Sequence, residues 1–397
     1  MARPAVIVAT RLWPPRLDAV GTYGARLADA LARLGHPVAC ATDAEAVTGA
    51  LEHIPHMNWD RAGGEALGRE AARRGAIVLF QYVPHLYQGR GLSFRAADFI
   101  RACRASGARV VTVVHETFID AWWPPQRLFV DLVQRRLLSR VVHASHAVVA
   151  PCELNRRRVM AAGAPAPRVL RVPVGASIGA PKDLAAAKAR GRERWAGKNE
   201  RLVALLGLAR RSRGLEGALD AFAALTATPC GEIPLSARLM IIGPVAARNG
   251  VYFAKLCART RRLGIENRVT WTGYLPDEEV SGLLAAADAY WYAGGGGLTA
   301  RSSAAASAFT HGAPVIAVRP PVLDGEFRDG ENLIWVAPRA SRALAEATRR
   351  LWSDAALETR LRRGALALAQ GALAWDHIAR SVSDLVARVA EEERDAT

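Results

Sequence analysis

The sequence is short of acid. Its 397 residues carry 53 Lys and Arg against 37 Asp and Glu, a formal charge of +16. An excess of that size suits a polyanionic partner: nucleic acid, an anionic membrane surface, or a nucleoside diphosphate. No long Lys/Arg block and no zinc-finger spacing occurs, which argues against a sequence-specific nucleic-acid binder. Much of the basic count is arginine spread over amphipathic stretches such as Arg342 to Arg363, which solvates a helix face. Cysteine is scarce. Cys40, Cys103, Cys152, Cys230 and Cys257 are scattered and form no C-x-x-C pair, so they read as buried reduced thiols of a cytoplasmic protein. No apolar run approaches the roughly 20 residues of a membrane span. The opening MARPAVIVAT is too short and strand-like for a secretory leader. His53, His56, His85, His143, His146 and His311 lack partners at metal-ligand spacing and read as structural.

What remains is a globular composition, 51% hydrophobic, long enough for two domains or at most three. One stretch organises it, Tyr290 to Val318, YWYAGGGGLTARSSAAASAFTHGAPVIAV. Ala289 to Ala293 is predicted as a buried strand, and Gly294 to Gly297 as a turn that lets backbone approach a ligand. Thr299 to Ser303 supplies helix-capping residues before an alanine-rich helix; Gly312 closes that helix, and Val315 to Val318 is the next strand. Unpaired amides at such a helix start would hold an anion, with Arg301 beside them. A glycine turn of this sort also serves merely to pack helix against sheet, so other stretches must decide.

They alternate in the same way. Pro4 to Thr10 is a strand; a helix capped by Thr22 and ending near Gly35 follows, with Gly21 placed where a phosphate could approach. Further strands are predicted at Pro37 to Thr42, Ala76 to Gln81, Arg109 to Val114, His146 to Ala150 and Arg168 to Val172. Val172 to Lys198, rich in Pro, Gly, Ala and charge, reads as the domain boundary. Beyond it, strands are predicted at Leu202 to Leu206, Ala237 to Ile242 and Arg268 to Thr272. Helices are predicted at Gly214 to Leu225, Val251 to Leu263 and Pro276 to Ala287, and the tail from Ala340 is almost wholly helical. The fold class is α/β: two Rossmann-like, doubly wound domains facing across a cleft, at residues 1–178 and 190–372. The last helix, about 375–397, packs back on the first domain.

Several fragments together resemble a retaining glycosyltransferase of family 4. They are LARLGHPVACAT, His115-Glu116 after VVTVV, VPVGASIG, LGLARRSRGLEGAL, TWTGYLPDEEVSGLLAAADAYWY, AFTHGAPVIA and ALAWDHIA. The resemblance implies the GT-B fold and a metal-independent enzyme without cofactor. Such an enzyme moves a sugar from a nucleotide-diphosphate sugar to a hydroxyl of a glycan, a lipid-linked saccharide or a natural product. The family usually carries two glutamates in the organising stretch, one near the donor sugar and one on the nucleotide ribose. Thr299 and Ser307 stand there instead, and Arg301 with Ser303 resembles a subset in which an arginine-serine run replaces the first acid. Without the ribose-contacting glutamate, a deoxyribose donor also fits. The family's Gly-Arg pair is Gly207-Leu208 here, while Arg213-Gly214 matches its Lys-Gly.

Without a metal, charge on the departing diphosphate must be met by guanidinium groups and helix-start amides. No Asp-x-Asp pair is present to hold a metal. Arg213 is the expected leaving-group stabiliser and Arg210 its helper, against the alternative of a solvated basic turn. Gly21, Gly296, Gly297, Leu298, Thr299, Arg301, Ser303 and Ser307 complete the expected donor side. His115, at a strand's carboxyl end, is by resemblance a contact of the donor sugar; Glu116 orients it or meets the acceptor, and Gln81 and Tyr82 shape the acceptor pocket. Phe118 to Arg140, with paired tryptophans and a basic helix, either rests on an anionic membrane, peripherally at its inner face, or binds a lipid-linked acceptor, against the alternative that its tryptophans pack the cleft and its arginines solvate a face. Three rival functions stay open: a weak or inactive member that binds nucleotide or a partner enzyme, a nucleotide-sugar epimerase, and a basic nucleic-acid binder.

Overall fold

The computed structural model describes residues 3–391 apart from 17, 46, 48–50, 56, 88–90, 122, 198, 228–235, 246–248 and 339–340. Trp122, Lys198, Cys230, Ala340 and the chain end from 392 therefore lie outside the described residues. The chain divides into two compact units, Met1–Val174 with Trp375–Thr397, and Gly175–Ala374.

In the first unit, strands β1 (Ala5–Ala9), β2 (Val38–Ala41), β3 (Glu52–Ile54), β4 (Ala76–Tyr82), β5 (Arg109–Val114), β6 (Ala147–Ala150) and β7 (Val169–Arg171) form one sheet. All of its pairings are parallel, in the order β3-β2-β1-β4-β5-β6-β7. Between them run α1 (Ala19–Arg33), α2 (Arg61–Arg73), α3 (Arg95–Ala105), α4 (Pro125–Ala144) and α5 (Glu153–Ala161). The strands are apolar almost throughout because both faces are covered. Ile7, Val78, Phe80, Val110 and Val148 pack under α2, α3 and α4. Their neighbours Val6, Val8, Ile77, Leu79, Val111 and Val149 pack under α1 and α13 (Trp375–Glu391). The last helix thus forms part of the first unit's own core. Asp18, not Thr22, caps α1, its carboxylate taking the Gly21 N–H at 2.7 Å. Thr22 is one turn inside the helix and donates to the Asp18 carbonyl.

The second unit repeats the plan. Strands β8 (Arg201–Leu206), β9 (Ala237–Ile242), β10 (Val269–Gly273), β11 (Ala289–Tyr292), β12 (Val315–Val318) and β13 (Leu333–Val336) pair in parallel as β10-β9-β8-β11-β12-β13. The accompanying helices are α6 (Leu184–Trp195), α7 (Leu215–Thr226), α8 (Gly250–Arg262), α9 (Asp277–Ala286), α10 (Ser303–Thr310), α11 (Ser341–Ser353) and α12 (Ala355–Gln370). The stretch read as an interdomain linker holds a helix, α6. It docks on α9 where Gly191 meets Gly282 so closely that a Cβ at 191 would stand 2.0 Å from the Gly282 carbonyl oxygen. Strands β3 and β13 are likewise additions to the sequence reading. Helix α10 starts where the sequence placed it, inside the capping stretch, with Ser302 as its cap and Gly312 (φ +63°) just past its end.

Candidate active site

Each sheet reverses its strand order once, between β1 and β4 and between β8 and β11. In doubly wound sheets a ligand sits outside the carboxyl ends at such a point, because the loops there diverge. In the second unit two glycine loops meet at that place. Strand β8 runs into Gly207 (φ +134°), then a short turn, Arg211–Arg213, and Gly214 (φ +66°) at the start of α7. Strand β11 runs into the four glycines, whose turn is closed by the Gly297 N–H donating to the Gly294 carbonyl at 2.9 Å. The loops touch: a Cβ on Gly214 would lie 2.1 Å from the Ala293 carbonyl oxygen, and one on Gly294 would lie 2.8 Å from that of Ser212.

The four glycines serve two purposes. Gly297 (φ +73°) is required by packing, since a Cβ there would reach 2.4 Å from the Pro320 nitrogen. Gly295 and Gly296 face open space. Backbone at these two positions is thus bare and open to close approach.

Arg213 reaches back across its own turn. Its guanidinium lies where a Gly207 side chain would stand, 2.7 Å from that Cβ position. Its Nε is buried with no hydrogen-bond partner among the described residues. A buried guanidinium N–H without an acceptor is costly, and an anion at the strand end would relieve it. Arg210 and Arg301 are exposed on the flanking loops, and Arg211 is engaged over the Tyr252 ring at 5.0 Å.

The remaining donor-side candidates are less available. Leu298 is fully buried, and its N–H donates to Val318. Thr299 is buried, and its carbonyl accepts from Ser302. Ser303 presents its carbonyl to the Ser307 hydroxyl at 2.8 Å. Ser307 is wholly enclosed, also accepting the Ile178 N–H at 3.0 Å, so its hydroxyl is committed inside the unit. A residue the sequence reading missed is Asp324, which is buried and accepts the Ala300 N–H at 2.8 Å, fixing the approach to α10. It lies in a loop without periodicity, and nothing in its neighbourhood marked it.

In the first unit His115 emerges at the end of β5. Its Nε2 lies 2.8 Å from Gln81 Oε1, and the Gln81 amide donates to the Leu79 carbonyl. That assignment puts the imidazole proton on Nε2 and leaves Nδ1 as an acceptor. Tyr23 meets the ring edge-on at 4.7 Å. Burial pushes the His115 pKa down to about 4, so the ring is neutral near pH 7. The orienting partner is therefore Gln81 and not Glu116, which is exposed. Gln81 is itself fully buried, and Tyr82 belongs to the core under α4, with no partner for its hydroxyl among the described residues. Neither lines an open acceptor pocket. Gly21 likewise offers no amide to a phosphate. Its N–H is bound to Asp18, and a Cβ there would strike the Leu12 carbonyl oxygen at 2.5 Å, so packing accounts for this glycine. Asn155, also missed, holds the strand end by donating to the Val114 and His115 carbonyls at 3.1 and 3.2 Å.

Comparison with known proteins bears on both units. Residues 20–178 match the model of glycosyltransferase family 4, and residues 189–367 match that of glycosyl transferases group 1. No curated protein matches the sequence. Among solved structures, HepE of Anabaena in complex with UDP and glucose is 15% identical, with 97% of this chain and 100% of that one covered at a TM-score of 0.73. Sucrose-phosphate synthase of Thermosynechococcus elongatus is 18% identical over 98% and 100%, at 0.76. A glycosyltransferase of Rickettsia africae is 12% identical over 98% and 99%, at 0.70. At such identities the structural likeness speaks for the fold. The two family matches lie in series, one on each doubly wound unit, and the chain belongs to the GT4-like glycosyltransferases of GT-B fold.

Proposed function

We propose that this glycosyltransferase moves a sugar from a nucleoside-diphosphate sugar to an acceptor hydroxyl with retention at the anomeric carbon and without a metal. The bond from the anomeric carbon to the diphosphate oxygen breaks. A bond to the acceptor oxygen forms on the same face, and the acceptor's proton leaves with the diphosphate. The observation that carries this reading is Arg213, folded onto Gly207 at the reversal point of the second sheet with its Nε buried and unpartnered among the described residues. A diphosphate oxygen is the acceptor that this donor needs, and charge-assisted bonds there strengthen as the leaving group gathers charge. Arg210, Arg301 and the bare backbone at Gly295 and Gly296 support the same anion. His115, neutral and fixed by Gln81, offers Nδ1 to a sugar hydroxyl.

The acceptor is a glycan, a lipid-linked saccharide or a small natural product. Neighbouring structures hold UDP and glucose in one case and UDP alone in another, which makes a uridine diphosphate sugar the first donor to try. The test is transfer or slow hydrolysis across a panel of nucleotide sugars, with the product anomer read by NMR. Turnover with an inverted product would remove the retaining mechanism. A second reading, nucleotide binding without turnover, is favoured by Thr299 and the enclosed Ser307 at the positions of the usual glutamates. Binding of a nucleotide together with no transfer or hydrolysis for any donor would select it.

A further inference from the structure

The loop from His115 to Pro124 joins β5 to α4 and holds no regular element among its described residues. Its first part is nonetheless fixed at every residue but one. Asn155 of α5 donates to the Val114 and His115 carbonyls. Arg158, one turn along α5, donates to the Thr117 hydroxyl at 3.1 Å. The guanidinium carbons of Arg158 and of Arg135 in α4 lie 4.4 and 3.7 Å from the centre of the Phe118 ring. Gln134 Oε1 accepts the Ile119 N–H at 3.0 Å, and Asp131 Oδ1 accepts the Asp120 N–H at 2.7 Å. Asp120 takes a φ of +53°, which aspartate adopts more readily than most residues, and its carboxylate meets both Arg135 and Arg158. The exception is Glu116, exposed and without a side-chain partner among the described residues.

Two of the fixing groups are buried. Asp131 is 3% exposed and Gln134 0%. Three residues apart, they share the face of α4 that is otherwise filled by Leu137, Leu138, Val141 and Val142. A carboxylate or an amide in such a place is unfavourable unless its bonds are made. The bonds made are to two consecutive loop amides, with Arg135 Nε on the second Asp131 oxygen at 2.6 Å. Helix α4 therefore carries two buried oxygens whose shared use is to set the path of the loop.

We propose that this loop presents Glu116 to hydroxyls of the transferred sugar, and that Asp131 and Gln134 are the positioning residues that hold it there. The inference rests on glycosyl transfer and on His115 meeting the same sugar. The His115 ring has Gln81 to orient it; the Glu116 carboxylate is placed by its backbone alone. A carboxylate accepts hydrogen bonds from sugar hydroxyls, and these strengthen as charge shifts in the transition state. Asp131 and Gln134 touch no substrate and act through Glu116.

Turnover of nucleotide sugars by the full chain tests it, with UDP-glucose tried first and transfer or hydrolysis as the readout. Glu116→Gln should lower kcat roughly tenfold or more. Asp131→Ala, which frees the loop, should lower kcat by about the same factor while the donor KM stays close to that of the parent. Asp131→Asn keeps an oxygen for the Asp120 N–H and should recover part of the loss. Combining Asp131→Ala with Glu116→Gln should be no slower than the slower single variant, because one acts through the other. Should Asp131→Ala fail to fold, Gln134→Leu serves in the same comparison. Parent kcat in Asp131→Ala, losses that multiply in the double variant, or Asp131→Asn as slow as Asp131→Ala would overturn the proposal and leave glycosyl transfer standing. A parent inert toward every donor would overturn both.

Discussion

Arginine and lysine would not serve alike at position 213. The guanidinium lies flat in the space beside Gly207 and presents a buried Nε, a geometry that an ammonium on a flexible stem does not reproduce. Arg213→Ala is expected to lower kcat by about 100-fold or more, and Arg213→Lys to restore only part of it. Neither should lower the unfolding midpoint much, because an unpartnered buried donor is itself unfavourable by about 1–3 kcal/mol. Single-turnover transfer with a denaturation curve for each variant checks both halves. His115 yields a second expectation, through pH. Its folded-state pKa is depressed to about 4 by burial, while the unfolded chain takes the proton near about 6.5. Stability is therefore fully present above that unfolded value and is lost as pH falls toward about 4. At pH 5 the loss due to this ring is about 2 kcal/mol. Urea unfolding at pH 7.5 and 5 should show His115→Asn losing less stability than the parent by about that amount; equal losses would deny that the ring is held neutral.

At the scale of the element, two glycines that look alike in sequence should behave oppositely. Gly191 sits where α6 crosses α9, and the carbonyl of Gly282 leaves no room for a methyl group. Gly191→Ala should cost about 1–3 kcal/mol. Gly217, inside α7, would place its Cβ 3.4 Å from the Ser341 hydroxyl, an ordinary contact. Gly217→Ala should gain about 0.5–1 kcal/mol from helix entropy. Chemical denaturation of the pair measures the contrast.

The same contrast marks what was legible. Strands buried on both faces write themselves as apolar runs, so most of both sheets could be read from residues alone. The edge strand β3, Glu-His-Ile, is polar and half-exposed and gives no such run. Helix α6 is alanine, glycine and charge, the composition of a linker, and only its long-range fit to α9 makes it a structural helix. His115 was legible from its place after VVTVV. Its partner was not, because Gln81 reaches it from the neighbouring strand, where the register pairs Gln81 with Val113. Glu116, adjacent in sequence, was the only partner the sequence could suggest.

For the whole molecule, the proposed function gives the net basicity one use: the arginine set at the reversal point of the second sheet would meet a diphosphate. If guanidinium groups rather than a metal meet the departing charge, prolonged dialysis against EDTA should leave the transfer rate unchanged. A loss restored by added magnesium or manganese would contradict that. The most direct test is calorimetric titration of the full chain and of Arg213→Ala with UDP, GDP, ADP and dTDP. At least one diphosphate should bind the parent and bind Arg213→Ala about tenfold or more weakly, as the loss of a charge-assisted contact of roughly 1.5–3 kcal/mol requires. Binding that is equal in the two proteins, or absent for every diphosphate, would contradict the account.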